Sequence, residues 1–411
     1  MDTQGITPAA PVSHVLHRLR QGGFLAYPVG GCVRDLLLRR PVRDWDVATS
    51  ARPGQALPLF ERAYDTGAKH GTITVMVGRV PVEVTTFRAE GPYSDGRRPD
   101  WVRFADRLAD DLARRDFTIN AMAFDEDNRV VDLFGGQDDL KNRIIRCVGD
   151  PFARFSEDAL RMWRALRFAG ALGFGIERGS WDAIAACAPL CAQLSPERVA
   201  AEAQKMLLRG GGSRLADALQ LGLMDAFLKA RPTARLPLQR LKSLPRRYDC
   251  RWAALTALLS RAGSLGGEEG LEEGGEGGES FLRALRLPRR VIDPAAAGAR
   301  LALSGALPSE DSAWRRLCWQ RGIPAALCAA AAADALEGGR RYVHSLREVL
   351  RGGDCLSLKT LALSGGQLKE AGYEGVAIGA AQRQLMEHVL AHPQDNTPEA
   401  LWHVLGGMRS E

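Results

Sequence analysis

No run of about 18 apolar residues occurs in this 411-residue chain, which excludes an ordinary helical membrane span. The first thirty residues lack a basic start followed by an apolar core, so a signal peptide is not expected. Eight cysteines are scattered, and no CxxC pair occurs. Cys187 and Cys191 stand four apart, within reach on a helix, but no second pair completes a zinc site. The thiols are therefore expected to be free and buried in a reducing cytoplasm. The seven histidines are dispersed, and histidine–metal chemistry is not expected. Aromatic residues make up only 7% of the chain.

The remaining composition is that of a soluble globular protein, with 45% hydrophobic and 25% charged residues. The length implies two to four domains. A net charge of +6 is compatible with a polyanionic partner without requiring one. Its distribution is uneven. Residues 231–261 hold Arg231, Arg235, Arg240, Lys242, Arg246, Arg247, Arg251 and Arg261 against Asp249 alone. Such a run reads as a solvated face, or as a track for an RNA backbone. Residues 268–279 then hold six glutamates and no base. The surrounding 263–280 stretch is low in complexity and is expected to be a disordered surface insertion.

Residues 1–145 read as mixed α/β. A helix is expected around 11–21, and short apolar or alternating runs follow at 24–29, 45–48, 73–77, 80–87, 120–124 and 130–133. The run 72–77, then Gly78-Arg79, then 80–84, reads as a hairpin. After about residue 150 helical spacing takes over. It is seen at 155–172, 180–190, 196–208, 213–229, 250–262, 280–286, 311–319, 324–337, 341–351 and 378–390.

Chemistry concentrates in the first part. Gly30 and Gly31 follow an apolar strand and precede a helix, where backbone amides can meet phosphate and Arg34 can add a charge-assisted bond. Asp44-x-Asp46 places two carboxylates on one face of a strand, a set suited to Mg²⁺ and substrate phosphates. Glu83 is a third acid inside an apolar β run, a costly place without a cation. Three acids on adjacent strands beside a glycine turn fit two-metal nucleotidyl transfer. Arg115, Asp116 and Asn120 flank the apolar Phe117, Ile119, Ala121 and Met122. They are suited to phosphate and sugar contacts, or to a structural ion pair. On an expected helix from Phe155 to Ala169, Asp158, Arg161, Arg164 and Arg167 recur every third residue amid apolar neighbours. They need anionic or hydrogen-bonding partners, unless the arginines snorkel to solvent.

These motifs resemble the class II tRNA nucleotidyltransferases and bacterial poly(A) polymerases. The match runs in order through Gly30–Asp35, Asp44–Thr49, Val82–Arg88, Tyr93–Asp100, Arg114–Ala121 and Arg154–Arg161. It is looser at Ser195–Glu202 and Leu361–Leu405. The resemblance implies an α+β fold: a polymerase β-like head (1–145), then a helical neck (146–208), body (209–335) and tail (336–411). It implies addition of CMP and AMP, from CTP and ATP, to a tRNA 3′ end in the cytoplasm. Asp44 and Asp46 would bind Mg²⁺, with Glu83 completing the catalytic set. Gly30, Gly31, Arg34, Arg115, Asp116 and Asn120 would hold phosphates and ribose. Asp158 and Arg161 would read the base edge, with Arg164 and Arg167 assisting. The loop Tyr93–Pro99 would help the switch from cytidine to adenosine. Enzymes adding only the terminal A, poly(A) polymerases, and an inactive RNA-binding module of the same fold remain alternatives. Monomer and homodimer both remain open. Two departures stand out: Arg39 replaces a frequent glycine, and Ser364-Gly365-Gly366 replaces a more usual Asn-Gly-Asp.

Overall fold

The computed structural model describes residues 8–68, 71–91, 101–209, 211–266 and 275–406. The Tyr93–Pro99 loop and residues 267–274 of the acidic stretch lie outside them. The chain divides into two compact units, Met1–Glu202 with Leu221–Ala226, and Ala203–Gln220 with Phe227–Glu411.

In the first unit, helix α1 (Ala10–Gln21) buries Val12, Val15, Leu16 and Leu19, a 3.6-residue stripe. It packs on a five-stranded sheet of β1 (Ala26–Pro28), β2 (Trp45–Thr49), β3 (Ala63–Gly67), β4 (Thr72–Val77) and β5 (Val80–Thr86). The spatial order is β1-β2-β5-β4-β3, with β2 and β5 parallel and the other neighbours antiparallel. The expected hairpin is β4–β5, and Gly78 at φ +62° supplies the backbone its two-residue turn needs. Trp45, Val47, Val82, Val84, Ile73 and Val75 are all buried, the last five at no more than 1% exposure. Each fully buried side chain of this size contributes about 1.5–3 kcal/mol. Between β1 and β2 runs the short helix α2 (Gly31–Leu37).

Several expected elements are corrected. Asp44 lies just before β2, so only Asp46 is in the strand. The apolar run at 120–124 divides into a 3₁₀ turn, Thr118–Asn120, and a strand, Met122–Phe124. The helix expected from Phe155 to Ala169 is two helices, Pro151–Glu157 and Leu160–Leu172. Asp158 breaks it, at φ −146° and ψ 104°, because its carboxylate accepts the Leu160 N–H at 3.0 Å in competition with the helical bond. Arg39 does take the left-handed backbone, φ +52°, that a glycine would accept more readily.

In the second unit, helices Tyr248–Arg261, Arg289–Leu303 and Ile323–Glu337 pack together. The last buries eight alanines, and small side chains let its neighbours approach closely. Gly298 allows that approach, since a Cβ there would collide with the Cβ of Cys328. Helix Arg289–Leu303 was not expected from the sequence, because Pro294 sits inside it. The 213–229 segment is shorter than expected, a helix Gly212–Leu221 and then a 3₁₀ turn. Residues 275–280, expected to be disordered, begin a helix, Gly275–Ala284. In the tail, Ser364 explains its own presence: its Oγ accepts the Gln367 N–H and the Gln367 side chain returns the bond, a capping box.

The basic run at 231–261 is largely structural. Arg251 is 2% exposed and donates to the Leu207, Leu244 and Pro245 carbonyls. Arg240 closes the C-terminus of helix Ile323–Glu337 through the Ala335 and Leu336 carbonyls. Arg235 pairs with Asp217 and Arg247 with Asp249, each at 2.6 Å. Lys242, Arg246 and Arg261 remain as exposed side chains.

Candidate active site

Strand register aligns the acids. Asp46 lies opposite Glu83 on β5, and Glu83 opposite Thr74 on β4, so the three form one row on one sheet face. The apolar row alternating with them is buried. Asp44 and Glu83 are exposed, while Asp46 is half-buried. Burial is the largest cause that pushes the Asp46 carboxyl up, to about 6, against the opposing pull of Arg115. The Glu83 and Asp44 charges push the same way as burial, and Arg34 opposes them. All three acids therefore share one field. A carboxylate whose ionised form is disfavoured by burial and two neighbouring carboxylates is a fitting ligand for a divalent cation, which offsets that charge. The three do not close into one tight shell. Among the described residues, the only trio of metal-type donors within 4.8 Å of one another is Asp249, Cys250 and Cys328. That trio is committed elsewhere, since Arg247 holds Asp249 through both oxygens and the Cys328 thiol is pushed well above its ordinary value, first by the Cys250 thiol beside it and then by burial.

The glycine turn acts by close approach. Gly30 has φ +79°, and a Cβ there would lie 2.6 Å from Arg115 Nη1 and 3.7 Å from an Asp46 carboxylate oxygen. Only glycine leaves that guanidinium room over the turn. The Gly30 amide itself donates to the Met122 carbonyl at 3.1 Å, so it is not the phosphate donor the sequence suggested. Gly31 begins α2, and Cys32 beside it is a buried thiol pushed up to about 11 by burial.

Arg115 and Asp116 do not pair with each other. Arg115 is held by Asp111 at 2.9 Å, and Arg114 grips the other oxygen of the same carboxylate at 2.6 Å. Burial alone would raise Asp111, but the two arginines hold it below the usual carboxylate range. A second chain of bonds crosses from α2 to helix Leu160–Leu172. Arg34 donates to the Asn120 side-chain oxygen at 2.7 Å, and the Asn120 amide donates to Asp116 at 3.1 Å. Asp116 then accepts from Arg164 at 2.7–2.8 Å. Burial pushes Asp116 up, yet Arg164 and Asn120 outweigh it and hold the carboxyl below its ordinary value.

The arginines of helix Leu160–Leu172 do not snorkel. Arg161 is 8% exposed and bonds Glu157 and the Arg154 carbonyl. Arg167 pairs with Glu202. Asp158 accepts from Arg198 at 2.7 Å. Sequence reasoning missed Asp111, Arg198 and Glu202 as partners. The i, i+4 spacing of Asp111 and Arg115 was a legible signal. Nothing in spacing links Arg198 to Asp158, 40 residues away. The histidine expectation also missed a pair at helical spacing, His388 and His392, with rings 5.0 Å apart and Asp395 2.8 Å from His388. It lies at the end of helix Val376–Ala391, and the trio is not among the described groups that close to metal-ligand distance.

The family model for the poly A polymerase head domain matches residues 26–146, and that for a probable RNA and SrmB-binding site of polymerase A matches 173–232. The CCA-adding enzyme of Geobacillus thermodenitrificans is 42% identical over 357 residues, covering 85% of this chain and 84% of that protein. That of Geobacillus stearothermophilus is 41% identical over 313 residues, covering 76% and 74%. The crystal structure of the Bacillus stearothermophilus CCA-adding enzyme in complex with CTP superposes with a TM-score of 0.72 at 33% identity, covering 94% of each chain. With a mixed-sheet head, a helical remainder and relatives this similar over most of its length, the chain belongs to the CCA-adding enzyme family.

Proposed function

We propose that this enzyme adds CMP and AMP, from CTP and ATP, to the 3′ end of tRNA without a nucleic-acid template. Family membership supports the activity, and one observation carries the assignment of the centre: Asp46 and Glu83 share a row across paired strands while Arg115 closes over Gly30 beside them. Asp44 and Asp46 are assigned Mg²⁺, with Glu83 completing the acidic set beside the attacking hydroxyl. Bound there, the ions supply Lewis-acid charge to the 3′-hydroxyl and the triphosphate. Arg115 and Arg34 grip phosphate, while Asp116 and Asn120 hold the ribose edge. Asp158 accepts from an exocyclic amine and Arg161 donates to ring acceptors. Cytosine and adenine offer that amine, whereas uracil and guanine present oxygen in its place. Arg198 and Glu157 hold Asp158 and Arg161 in the described state, so reading a base exchanges one set of partners for another. Residues 1–145 serve as head, 146–208 as neck, and the body (209–335) and tail (336–411) clamp tRNA by shape and charge.

The test is isotope incorporation with three primers: tRNA ending before CC, tRNA ending in CC, and oligo(A). CCA completed on the first supports the reading. A added only after CC makes the enzyme an A-adder, long tails on oligo(A) make it a poly(A) polymerase, and binding without incorporation makes it an RNA-binding module.

A further inference from the structure

Phe168, on helix Leu160–Leu172, is half-buried, and no role has been assigned to it above. Three guanidinium groups surround its ring. The Arg167 Cζ lies 3.9 Å from the ring centroid, Arg34 at 5.1 Å and Arg164 at 5.4 Å. Phe117, next to Asp116, meets the ring edge-on at 5.9 Å and 80°. Three like charges do not gather without cause. Each has an anionic or polar partner: Glu202 for Arg167, Asp116 for Arg164, and Asp35 with Asn120 for Arg34. Asn120 and Asp116 already link Arg34 to Arg164, whereas Glu202 holds Arg167 apart from them. The ring is the surface that all three meet. A phenyl face carries negative potential and attracts a cation within about 6 Å of its centroid. A leucine would fill similar space without that attraction.

We infer that Phe168 is a positioning residue that holds Arg34, Arg164 and Arg167 in one arrangement through its π face, coupling the head's phosphate-side arginine to the two on the neck. This rests on the proposed reading that these arginines meet the nucleotide. The ring touches no reacting group, and its effect passes through the cations it orders. Loss of the π face is expected to raise KM for the nucleotide more than it lowers kcat, because orientation of the bound triphosphate and base is what the arginines supply.

The test is a shape-preserving series in the full-length enzyme. Phe168 is replaced by 4-fluoro-, 3,5-difluoro- and 3,4,5-trifluorophenylalanine, which weaken the ring's negative face at nearly constant volume, alongside Phe168→Leu and Arg34→Ala. KM and kcat for CTP and ATP are measured with tRNA, and thermal unfolding midpoints check folding. KM is expected to rise stepwise with fluorination, reaching about tenfold in the trifluoro variant and in Phe168→Leu, with the fluorinated midpoints unchanged. A flat KM across the fluorinated series, with Arg34→Ala still impaired, overturns the role of Phe168 and leaves the site intact. Arg34→Ala with unaltered nucleotide KM overturns both.

Discussion

Asp46 carries an unfavourable charge in the folded enzyme, and the sign of its effect on stability follows. Native Asp46 keeps its proton to about pH 6, against an ordinary value of 3.8. Between those limits the native state binds more protons than the unfolded one, so stability falls as pH rises. Above pH 6 the penalty from this residue is fully present. Asp46→Asn is therefore expected to raise the metal-free unfolding midpoint by a few degrees at pH 7.5, to leave it little changed below pH 4, and to abolish nucleotide addition. Adding Mg²⁺ at pH 7.5 is expected to stabilise the parent enzyme and not the variant. Thermal melts at the two pH values, with and without the ion, measure this, and equal midpoints for parent and variant at pH 7.5 would remove the shared field of the three acids. Gly30 gives a second residue-scale expectation. In Gly30→Ala the methyl must displace Arg115 and strain a backbone at φ +79°. KM for both nucleotides is expected to rise about tenfold or more, since charge-assisted bonds contribute about 1.5–3 kcal/mol. An unchanged KM would show that Arg115 does not grip phosphate from that position.

At the scale of elements, the strands that carry the acids were legible because β propensity, alternation and a two-residue turn all agree there. Asp46 and Glu83 each stand between buried valines or a tryptophan, a pattern that only a one-sided wet strand explains. The helical remainder was legible by spacing except where one side chain overrode the pattern. Pro294 hid a helix that tertiary packing nonetheless maintains, and Asp158 broke a helix whose apolar period continues unbroken through it. The break has a consequence for specificity. A helical Asp158 would point by helix geometry, while the observed one is held by the Leu160 amide and by Arg198. Asp158→Ala is therefore expected to raise UMP and GMP incorporation relative to CMP and AMP by about tenfold, the worth of one charge-assisted contact, with tRNA affinity within about twofold. Competition assays with all four nucleotides read this directly. Base choice identical to the parent's would refute selection by Asp158.

Across the whole molecule, charge is divided as sharply as structure. The unit containing the sheet holds 27 basic and 28 acidic residues, and the other unit holds 28 basic against 21 acidic. The net charge of +6 is thus an excess of seven in the second unit against a deficit of one in the first. An enzyme that handles a polyanion by shape and backbone needs its positive field where the RNA lies, and not among carboxylates that must collect cations. The excess is smaller than the sequence suggests at 231–261, because Arg235, Arg240, Arg247 and Arg251 are occupied by Asp217, by a helix end, by Asp249 and by three carbonyls. Lys242 and Arg246, being exposed, remain as candidates for phosphate contact. The double variant Lys242→Ala, Arg246→Ala is expected to weaken tRNA binding about equally for all tRNAs and to reduce the slope of log affinity against log salt by about 1 to 2, with nucleotide KM unaltered. Filter binding of tRNA from low to moderate salt measures the slope. If affinity and slope both match the parent, the exposed part of this run is a solvated face, and the excess charge meets RNA elsewhere on the second unit.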